Sequence, residues 1–267
     1  MDGTKWDPTT VAAAVVRRGE VVERFGDTGG VQPVASITKL ATAWAVLVAV
    51  EEGTIGLDDP AGPPGATVAH LLAHASGVDF DSERVLAPPG RRRIYSNTGY
   101  EMLGDHLAVR SGLPAASYVT EAVLDPLGMD SSRIGGSVAA DLDSSVDDLV
   151  RLLGELRSPT LVDTSTAAAA TEVAFGDLAG VVPGWGRHDP CDWGLGPEIR
   201  GTKHPHWMGA RCAAATFGHF GGSGTLLWVD PVADLGCVVF ADRSFGEWAT
   251  TVWPDQSDRV WSTWSGS

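Results

Sequence analysis

The chain has 267 residues, of which 43% are hydrophobic and 20% charged, as in ordinary folded globular proteins. Nineteen basic residues stand against thirty-four acidic ones, which gives a formal net charge of -15. A negative field of this size repels phosphate backbones and anionic lipids, so we expect neither nucleic acid nor a membrane as partner. The dense basic run, Arg91 to Arg93, is predicted to be solvated or to face substrate.

The cysteines and the N-terminus favour a cytoplasmic protein. Cys191, Cys212 and Cys237 are an odd number of thiols without metal-ligand spacing, which predicts reduced thiols. Residues 1–8 contain no basic segment followed by an apolar run, so they do not resemble a signal peptide. The longest apolar stretch, 40–50, is too short to span a bilayer. A chain trimmed of an export leader would show the same pattern.

The first part of the chain predicts a hairpin followed by helices. Runs rich in β-forming residues at 11–16 and 21–25 flank a Gly-containing turn. A long apolar helix is predicted from Ser36 through Glu52, where glycine follows. After a Pro/Gly-rich stretch, a short helix is predicted at 68–75.

Helical patterns continue through the middle of the chain. They are predicted at 98–111, 115–125, 145–156 and 165–173. Glycine, proline and tryptophan then predict loops over 176–209, with one strand near 194–200. Strand patterns return at 225–229 and 235–241, joined by a turn, and a closing helix is predicted over the last dozen residues.

Strands at both ends of the chain with helices between them predict an α+β fold. We expect an antiparallel β-sheet flanked by helices, plus a helical lobe. The organisation predicted is one domain over 1–267, with a mainly helical insertion at about 55–175 between the N- and C-terminal sheet-forming segments. A chain of this length can bury a core without disulfides or metal.

The first segment suited to chemistry is Ser36-Ile37-Thr38-Lys39. One helical turn separates Ser36 from Lys39, so both side chains project from one face and the amine can take the serine proton. The positive end of the helix dipole favours a developing oxyanion there. The structural alternative is a serine N-cap followed by a surface lysine.

The second segment is Tyr95-Ser96-Asn97. A phenol can carry a proton between nucleophile and leaving group if a nearby cation lowers its pKa. The amide of Asn97 can fix Lys39 and donate to a substrate carbonyl. The structural alternative is a turn before a helix, with Tyr95 as a core aromatic residue.

The third segment is the glycine-rich run 218–224, which contains His219 and precedes a strand pattern. Glycines in a strand region indicate close approach of the backbone to another group. The backbone N–H of Gly222, together with that of Ser36, is suited to form an oxyanion hole. The structural alternative is a glycine-rich bulge with a solvent-exposed histidine.

In their order, Ser-x-x-Lys, Tyr-x-Asn and His-x-Gly resemble the motifs of the serine β-lactamase and penicillin-binding-protein superfamily. The Tyr-x-Asn form is similar to that of class C β-lactamases, D-Ala-D-Ala carboxypeptidases and family VIII carboxylesterases. Three connecting stretches also look like this family, namely 53–60, 70–77 and 125–129. The resemblance runs from about Val11 to Ala241 and implies a β-lactamase/transpeptidase-like fold in a single β-lactamase-related domain.

The resemblance also implies roles for the motif residues. Ser36 would be the nucleophile, Lys39 the group that activates it, and Tyr95 the base in acylation and the acid toward the leaving group. The other motif residues would orient Lys39 or bind the substrate and the oxyanion: Asn97, His219, Gly221 and Gly222. No cofactor is implied.

Two departures bear on the substrate. His219 replaces the lysine that favours a β-lactam carboxylate, and Phe220 replaces a small hydroxyl residue. Histidine is only partly charged near neutral pH. We therefore expect a serine hydrolase that cleaves a small-molecule ester or small amide through an acyl-Ser36 intermediate. The alternatives are a β-lactamase or D-Ala-D-Ala carboxypeptidase, and a non-catalytic binding protein on the same scaffold.

Other signals favour structural interpretations. His70 and His74 have the spacing of a zinc pair, but the sequence has no glutamate between them and no evident third ligand, so no metal site is predicted. The Gly-x-Ser-x-Gly pattern of α/β-hydrolases is absent. Trp185, Trp193 and Trp207 are interpreted either as walls of an apolar substrate pocket or as core residues.

Overall fold

Strands from the two ends of the chain meet in one sheet in the computed structural model, which describes residues 3–266. The strands in this part of the chain are β1 (Thr10–Arg17), β2 (Glu20–Gly26), β3 (Gln32–Pro33), β4 (Arg93–Ile94), β5 (Arg133–Ile134), β6 (Leu142–Ser144), β7 (Gly180–Val182), β8 (Gly186–His188), β9 (Glu198–Ile199), β10 (Phe217–Gly221), β11 (Thr225–Asp230) and β12 (Leu235–Ala241). The six-stranded sheet has the order β2-β1-β12-β11-β10-β9, and its pairs are antiparallel.

Helices cover both faces of this sheet and fill the middle of the chain. They are α1 (Thr38–Glu51), α2 (Val68–Leu72), α3 (Asn97–Ser111), α4 (Ala115–Val119), α5 (Val146–Arg157), α6 (Thr164–Thr171) and α7 (Ala249–Trp264). A 3-10 turn, Ala35–Ile37, precedes α1, and a π turn, Thr120–Leu124, follows α4. None of the helices described between residues 3 and 266 has the length and apolarity to cross a bilayer.

Two cores explain why the strand sequences are apolar on both faces. In β1, Ala12, Ala14 and Val16 belong to a core that includes α1 and α5. Ala13 and Val15 point to a second core, rich in tryptophan, that includes α7. Because successive residues of a strand alternate between faces, a strand buried on both sides becomes a continuous apolar run.

The fold confirms most of the predicted elements and the predicted α+β class. The hairpin, most helices and the C-terminal strands lie within a few residues of their expected bounds, whereas the closing helix α7 already begins at Ala249, ahead of the last dozen residues. The region 176–209 holds three short strands instead of one, and the helix expected over 115–125 is divided into α4 and a π turn. The domain organisation, with its insertion at about 55–175, stays a prediction.

Arg93 was expected to be solvated or substrate-facing, and that expectation is wrong. Its side chain is buried. The guanidinium donates hydrogen bonds to the backbone carbonyls of Ala73, Ala174, Phe175 and Cys191. Five N–H donors in one planar group can satisfy several carbonyls that no regular element pairs, which stabilises the loops beside the predicted site. The three cysteines are free and buried.

Candidate active site

Ser36 lies in the 3-10 turn that leads into α1. The residue before it, Ala35, has φ 47, a left-handed conformation that non-glycine residues adopt at a cost. The turn is held by the Thr38 hydroxyl, which donates to the Ala35 carbonyl at 2.6 Å. The helix itself begins at Thr38 rather than at Ser36, and no N-cap hydrogen bond by a side chain is formed there. The serine hydroxyl therefore remains available for other partners.

Lys39 is buried and makes three polar contacts. Its Nζ donates to Asn97 Oδ1 at 2.7 Å and to the Ala139 carbonyl at 2.9 Å, and lies 3.4 Å from Ser36 Oγ. Burial lowers the pKa of Lys39 to about 7, although the negative charges of Glu101 and Asp81 oppose this shift. A neutral amine has two N–H donors and one lone pair. Because both carbonyl oxygens can only accept, the lone pair falls to the side of Ser36 Oγ.

Tyr95 completes the group around the serine. Tyr95 lines the same cavity as Ser36. Burial raises the pKa of the phenol, although the nearby Ser36 opposes this shift. Lys39 Nζ lies 4.9 Å from the centroid of the Tyr95 ring, so the amino group lies over the ring face. The sequence suggested that Tyr95 could carry a proton if a nearby cation lowered the pKa of its phenol, but that pKa is raised. Tyr95 is a protonated phenol at ordinary pH.

Asn97 joins the second motif to the first. It begins α3, whose N-cap Ser96 accepts from the Gly99 N–H at 2.8 Å. The Asn97 amide donates from Nδ2 to Asp81 Oδ1 at 3.1 Å and accepts from Lys39 at Oδ1. Because Nδ2 faces an acceptor and Oδ1 faces a donor, the orientation of the Asn97 amide is fixed. The predicted contact between Asn97 and Lys39 is thus present.

The glycine-rich third motif is itself a strand, β10, followed by a tight turn. The Gly224 N–H donates to the Gly221 carbonyl at 3.1 Å and closes that turn. A Cβ on Gly221 would lie 2.1 Å from the Val34 carbonyl oxygen, which explains the glycine and the predicted close approach. Gly222 and Ser36 line the same cavity. The turn hydrogen bond does not use the Gly222 N–H.

A hydroxyl tethers this turn to the segment before Ser36. Thr225 Oγ1 donates to the Val34 carbonyl at 3.0 Å in a buried environment. We expect Thr225→Val to lower the free energy of unfolding by about 1 kcal/mol, because the shape is kept and one hydrogen bond is lost. The variant should also lower kcat/KM, since the tether sets the spacing between Gly222 and Ser36.

Urea denaturation and ester hydrolysis would measure both effects of the Thr225 substitution. The control is Thr202→Val on an exposed threonine, where we expect neither quantity to change. Equal effects of the two substitutions would contradict a role for the tether.

His219 is 2% exposed, which contradicts the alternative of a solvent-exposed histidine. Its Nδ1 lies 2.7 Å from the Phe220 carbonyl oxygen, and its ring centroid lies 5.7 Å from that of Tyr95. Burial, and secondarily the charge of Lys39, lowers the pKa of His219 to about 4. The side chain is therefore a neutral imidazole at physiological pH.

A small apolar cavity of about 130 Å³ opens beside these groups. Besides Ser36, Tyr95 and His219, it is lined by Phe80, Pro183, Trp193, Phe220, Gly222 and Phe245. Of the three tryptophans considered as pocket walls, Trp193 lines this cavity. All three belong to the tryptophan-rich core, and Trp185 and Trp207 do not line the cavity. None of the lining residues is a lysine or arginine.

Several partners of the motif residues were not anticipated from the sequence. Asp81 and the Ala139 carbonyl hold Asn97 and Lys39, respectively. His74 accepts a hydrogen bond from the Ser96 N–H at its Nδ1, and its backbone carbonyl accepts one from the Ile94 N–H. These two bonds fix the backbone on either side of Tyr95. No pattern of spacing in the sequence marks these contacts.

His70 does not face the motif residues as a ligand would. Its ring stacks on Phe175 with centroids 4.2 Å apart, and its Nδ1 lies 2.9 Å from the Thr67 hydroxyl. Between residues 3 and 266 no three His, Cys, Asp or Glu residues are grouped so as to hold a metal ion.

Comparisons with known proteins identify the family and the fold. The sequence model of the Beta-lactamase family matches residues 7–256. A crystal structure of a beta-lactamase from Mycobacterium bovis is 47% identical, with a TM-score of 0.95 over 97% of each chain. The structure of EstCE1, a hydrolase with promiscuous acyltransferase activity, has a TM-score of 0.77 over 94% of each chain. At 17% identity it shows a shared fold only.

Two curated relatives match over shorter stretches. The D-alanyl-D-alanine-carboxypeptidase/endopeptidase AmpH of Escherichia coli is 28% identical over 133 residues, covering 36% of this chain and 34% of its own length. Penicillin-binding protein 4* of Bacillus subtilis is 26% identical over 140 residues, covering 40% of this chain and 31% of its own. The chain thus spans about a third of the length of these relatives.

Proposed function

Because the chain is a serine hydrolase that belongs to the Beta-lactamase family, we propose that it cleaves a small ester or amide through a covalent acyl-Ser36 intermediate. The observation that carries this proposal is the contact between Ser36 Oγ and a buried Lys39 whose other two neighbours are carbonyl oxygens. Such an amine is a base directed at one hydroxyl.

Acylation follows from the protonation states of the two neighbours of Ser36. Neutral Lys39 takes the proton of Ser36 as Oγ attacks the substrate carbonyl. The oxyanion receives hydrogen bonds from the backbone N–H groups of Ser36 and Gly222, each worth roughly 3–4 kcal/mol in such sites. Tyr95 donates its proton to the departing oxygen or nitrogen and regains one from the Lys39 ammonium. Water then attacks the acyl-Ser36 carbonyl and gives a proton to neutral Lys39, and the Lys39 ammonium returns that proton to Ser36 Oγ as the acyl bond breaks and the acid is released.

This assignment differs from the expected one in the choice of base. A phenol with a raised pKa is almost fully protonated at physiological pH, so it offers no phenolate to accept the Ser36 proton but still carries a proton that it can give to a basic leaving group. A lysine with a pKa of about 7 is half neutral at physiological pH. We therefore give Lys39 the role of base in acylation and keep for Tyr95 the role of acid toward the leaving group.

The rate should depend on pH through Lys39. Only the neutral amine accepts a proton, so kcat/KM should fall about tenfold per unit below a pKa of about 7 and level off above it. Initial rates with p-nitrophenyl acetate, corrected for its spontaneous hydrolysis, would measure the profile. A rate that stays constant across about two units on either side of neutrality would contradict this role for Lys39.

A β-lactamase or D-Ala-D-Ala carboxypeptidase remains the second candidate. The Mycobacterium bovis protein is called a beta-lactamase, and AmpH is called a carboxypeptidase, which favours it. The cavity argues for an uncharged substrate instead, because neither lysine nor arginine lines it and His219 is neutral. Nitrocefin and p-nitrophenyl acetate assayed side by side separate the two candidates.

Labelling of the nucleophile tests the proposal directly. Intact-mass spectrometry after treatment with a fluorophosphonate should show one adduct on the wild type and none on Ser36→Ala. Ser262→Ala, on the exposed face of α7, is the matched control and should label fully. Absence of labelling on a wild type that also fails to react with penicillin would favour the non-catalytic binding protein. The cytoplasmic location stays a prediction.

A further inference from the structure

We propose that His219 selects substrates whose leaving group carries an uncharged hydrogen-bond donor, a hydroxyl or an amide N–H, and that its Nε2 accepts this hydrogen bond. The inference rests on the proposed function, since it places the leaving group beside Ser36. These uncharged substrates differ from the carboxylate-bearing β-lactams that a lysine at this position would favour.

The tautomer of His219 follows from its contacts. Its Nδ1 lies 2.7 Å from the Phe220 carbonyl oxygen. A carbonyl oxygen only accepts, so Nδ1 carries the hydrogen, and the neutral ring then has its lone pair at Nε2. The third motif therefore presents an acceptor, whereas a lysine at this position would present donors and a charge.

The Nε2 atom is buried and has no hydrogen-bond partner among the described residues. A buried acceptor without a partner is costly, and a ligand that supplies a donor removes that cost. His219 itself lines the cavity that contains Ser36. Its ring packs at 5.8 Å from that of Trp193, another lining residue, so the imidazole is part of the cavity wall.

The position of Tyr95 assigns this acceptor to the leaving group. The rings of Tyr95 and His219 are 5.7 Å apart, and both residues line the cavity that contains Ser36. In the proposed mechanism Tyr95 delivers the proton to the departing atom, so that part of the substrate lies on the Tyr95 side of the cavity. His74 lies nearer to the Tyr95 ring, at 4.5 Å, but it does not line the cavity, so His219 is the histidine that a leaving group in the cavity can contact.

The charge and the size of the cavity beside His219 Nε2 disfavour a carboxylate and a bulky group there. A carboxylate at Nε2 would set its negative charge against the lone pair, and the nearby cations, Lys39 behind Ser36 and the arginines of the adjoining cavity, are not part of this lining. A cavity of about 130 Å³ encloses a few heavy atoms, so a larger leaving group such as p-nitrophenolate extends beyond it, past the shared residues Phe80 and Pro183. A short, neutral alcohol or amide that carries a second donor fits both conditions.

Three acetate esters test the inference: 2-hydroxyethyl acetate, its isostere propyl acetate, and the anion acetoxyacetate. Wild-type kcat/KM, measured in a pH-stat, should be about tenfold higher for the hydroxyethyl ester than for the propyl ester, and lowest for the anion. In His219→Leu the ratio of the first two values should fall to about one. His219→Gln, which restores an acceptor oxygen, should recover part of the preference.

Different experimental results would overturn the role of His219 and the proposed hydrolase function. A wild type that hydrolyses p-nitrophenyl acetate but shows no preference for the hydroxyethyl ester would overturn the inference alone, as would a preference that persists in His219→Leu. The wild-type ratio decides the question even where a variant does not fold. A wild type that hydrolyses none of the esters and leaves Ser36 unlabelled would overturn the proposed function.

Discussion

Replacing Lys39 by arginine should lower kcat/KM for p-nitrophenyl acetate by about a thousandfold, even though the positive charge is kept. The guanidinium stays protonated at any accessible pH, so it cannot take the proton of Ser36. A role of Lys39 as a fixed cation would instead be preserved by arginine. The substitution therefore separates a base from an electrostatic anchor.

Lys39→Met provides the second arm of this test. Methionine has a stem of similar length and no charge, so it removes both the base and the two hydrogen bonds to Asn97 and Ala139. We expect a loss at least as large as in the arginine variant. Circular dichroism would establish that both variants fold, and Lys5→Arg, at an exposed position, should retain full activity. More than a tenth of wild-type activity in Lys39→Arg would contradict the assignment of Lys39 as base.

The parts of the site that sequence could predict are those defined by short-range spacing. One helical turn places Lys39 beside Ser36, and a tripeptide places Asn97 next to Tyr95. Glycine at 221 indicated a close approach, and the Val34 carbonyl is the group approached. For the first two pairs the short separation in sequence fixes the geometry. For Gly221 the absence of a side chain indicates that there is no space for one.

The parts that sequence could not predict depend on contacts between distant segments. The Ala139 carbonyl reaches Lys39 across 100 residues of sequence, and a backbone carbonyl has no residue signature. The pKa of Tyr95 depends on burial, which a motif does not reveal. Arg93 looked like part of a surface run, because nothing in its neighbours shows that unpaired carbonyls surround it. Tertiary packing decides such cases.

A buried ionic cluster beside β10 was also missing from the sequence-based interpretation. Glu198, on β9, lies 3.2 Å from Lys203 Nζ and 2.9 Å from His206 Nε2, and accepts from Trp207 Nε1 at 2.8 Å. Burial disfavours the charge of Glu198, but Lys203, His206 and these hydrogen bonds outweigh it and hold the pKa of the carboxyl well below its usual range. Since Glu198 pairs with Gly218, the cluster supports the strand that carries His219.

Glu198→Ala should lower the free energy of unfolding by about 3–5 kcal/mol, because it leaves the buried Lys203 ammonium without its counter-charge. Urea denaturation at neutral pH would measure the loss, and Glu20→Ala at an exposed position should change it by less than about 0.5 kcal/mol. Glu198→Leu combined with Lys203→Met should recover much of the stability, since both charges are then removed.

The pKa of Glu198 is depressed in the folded state, so the contribution of this carboxylate to stability is complete above the usual carboxyl pKa of 4.5 and is lost as the pH falls. A loss below about 1 kcal/mol in Glu198→Ala would show that the carbonyls around Lys203 suffice to hold the ammonium.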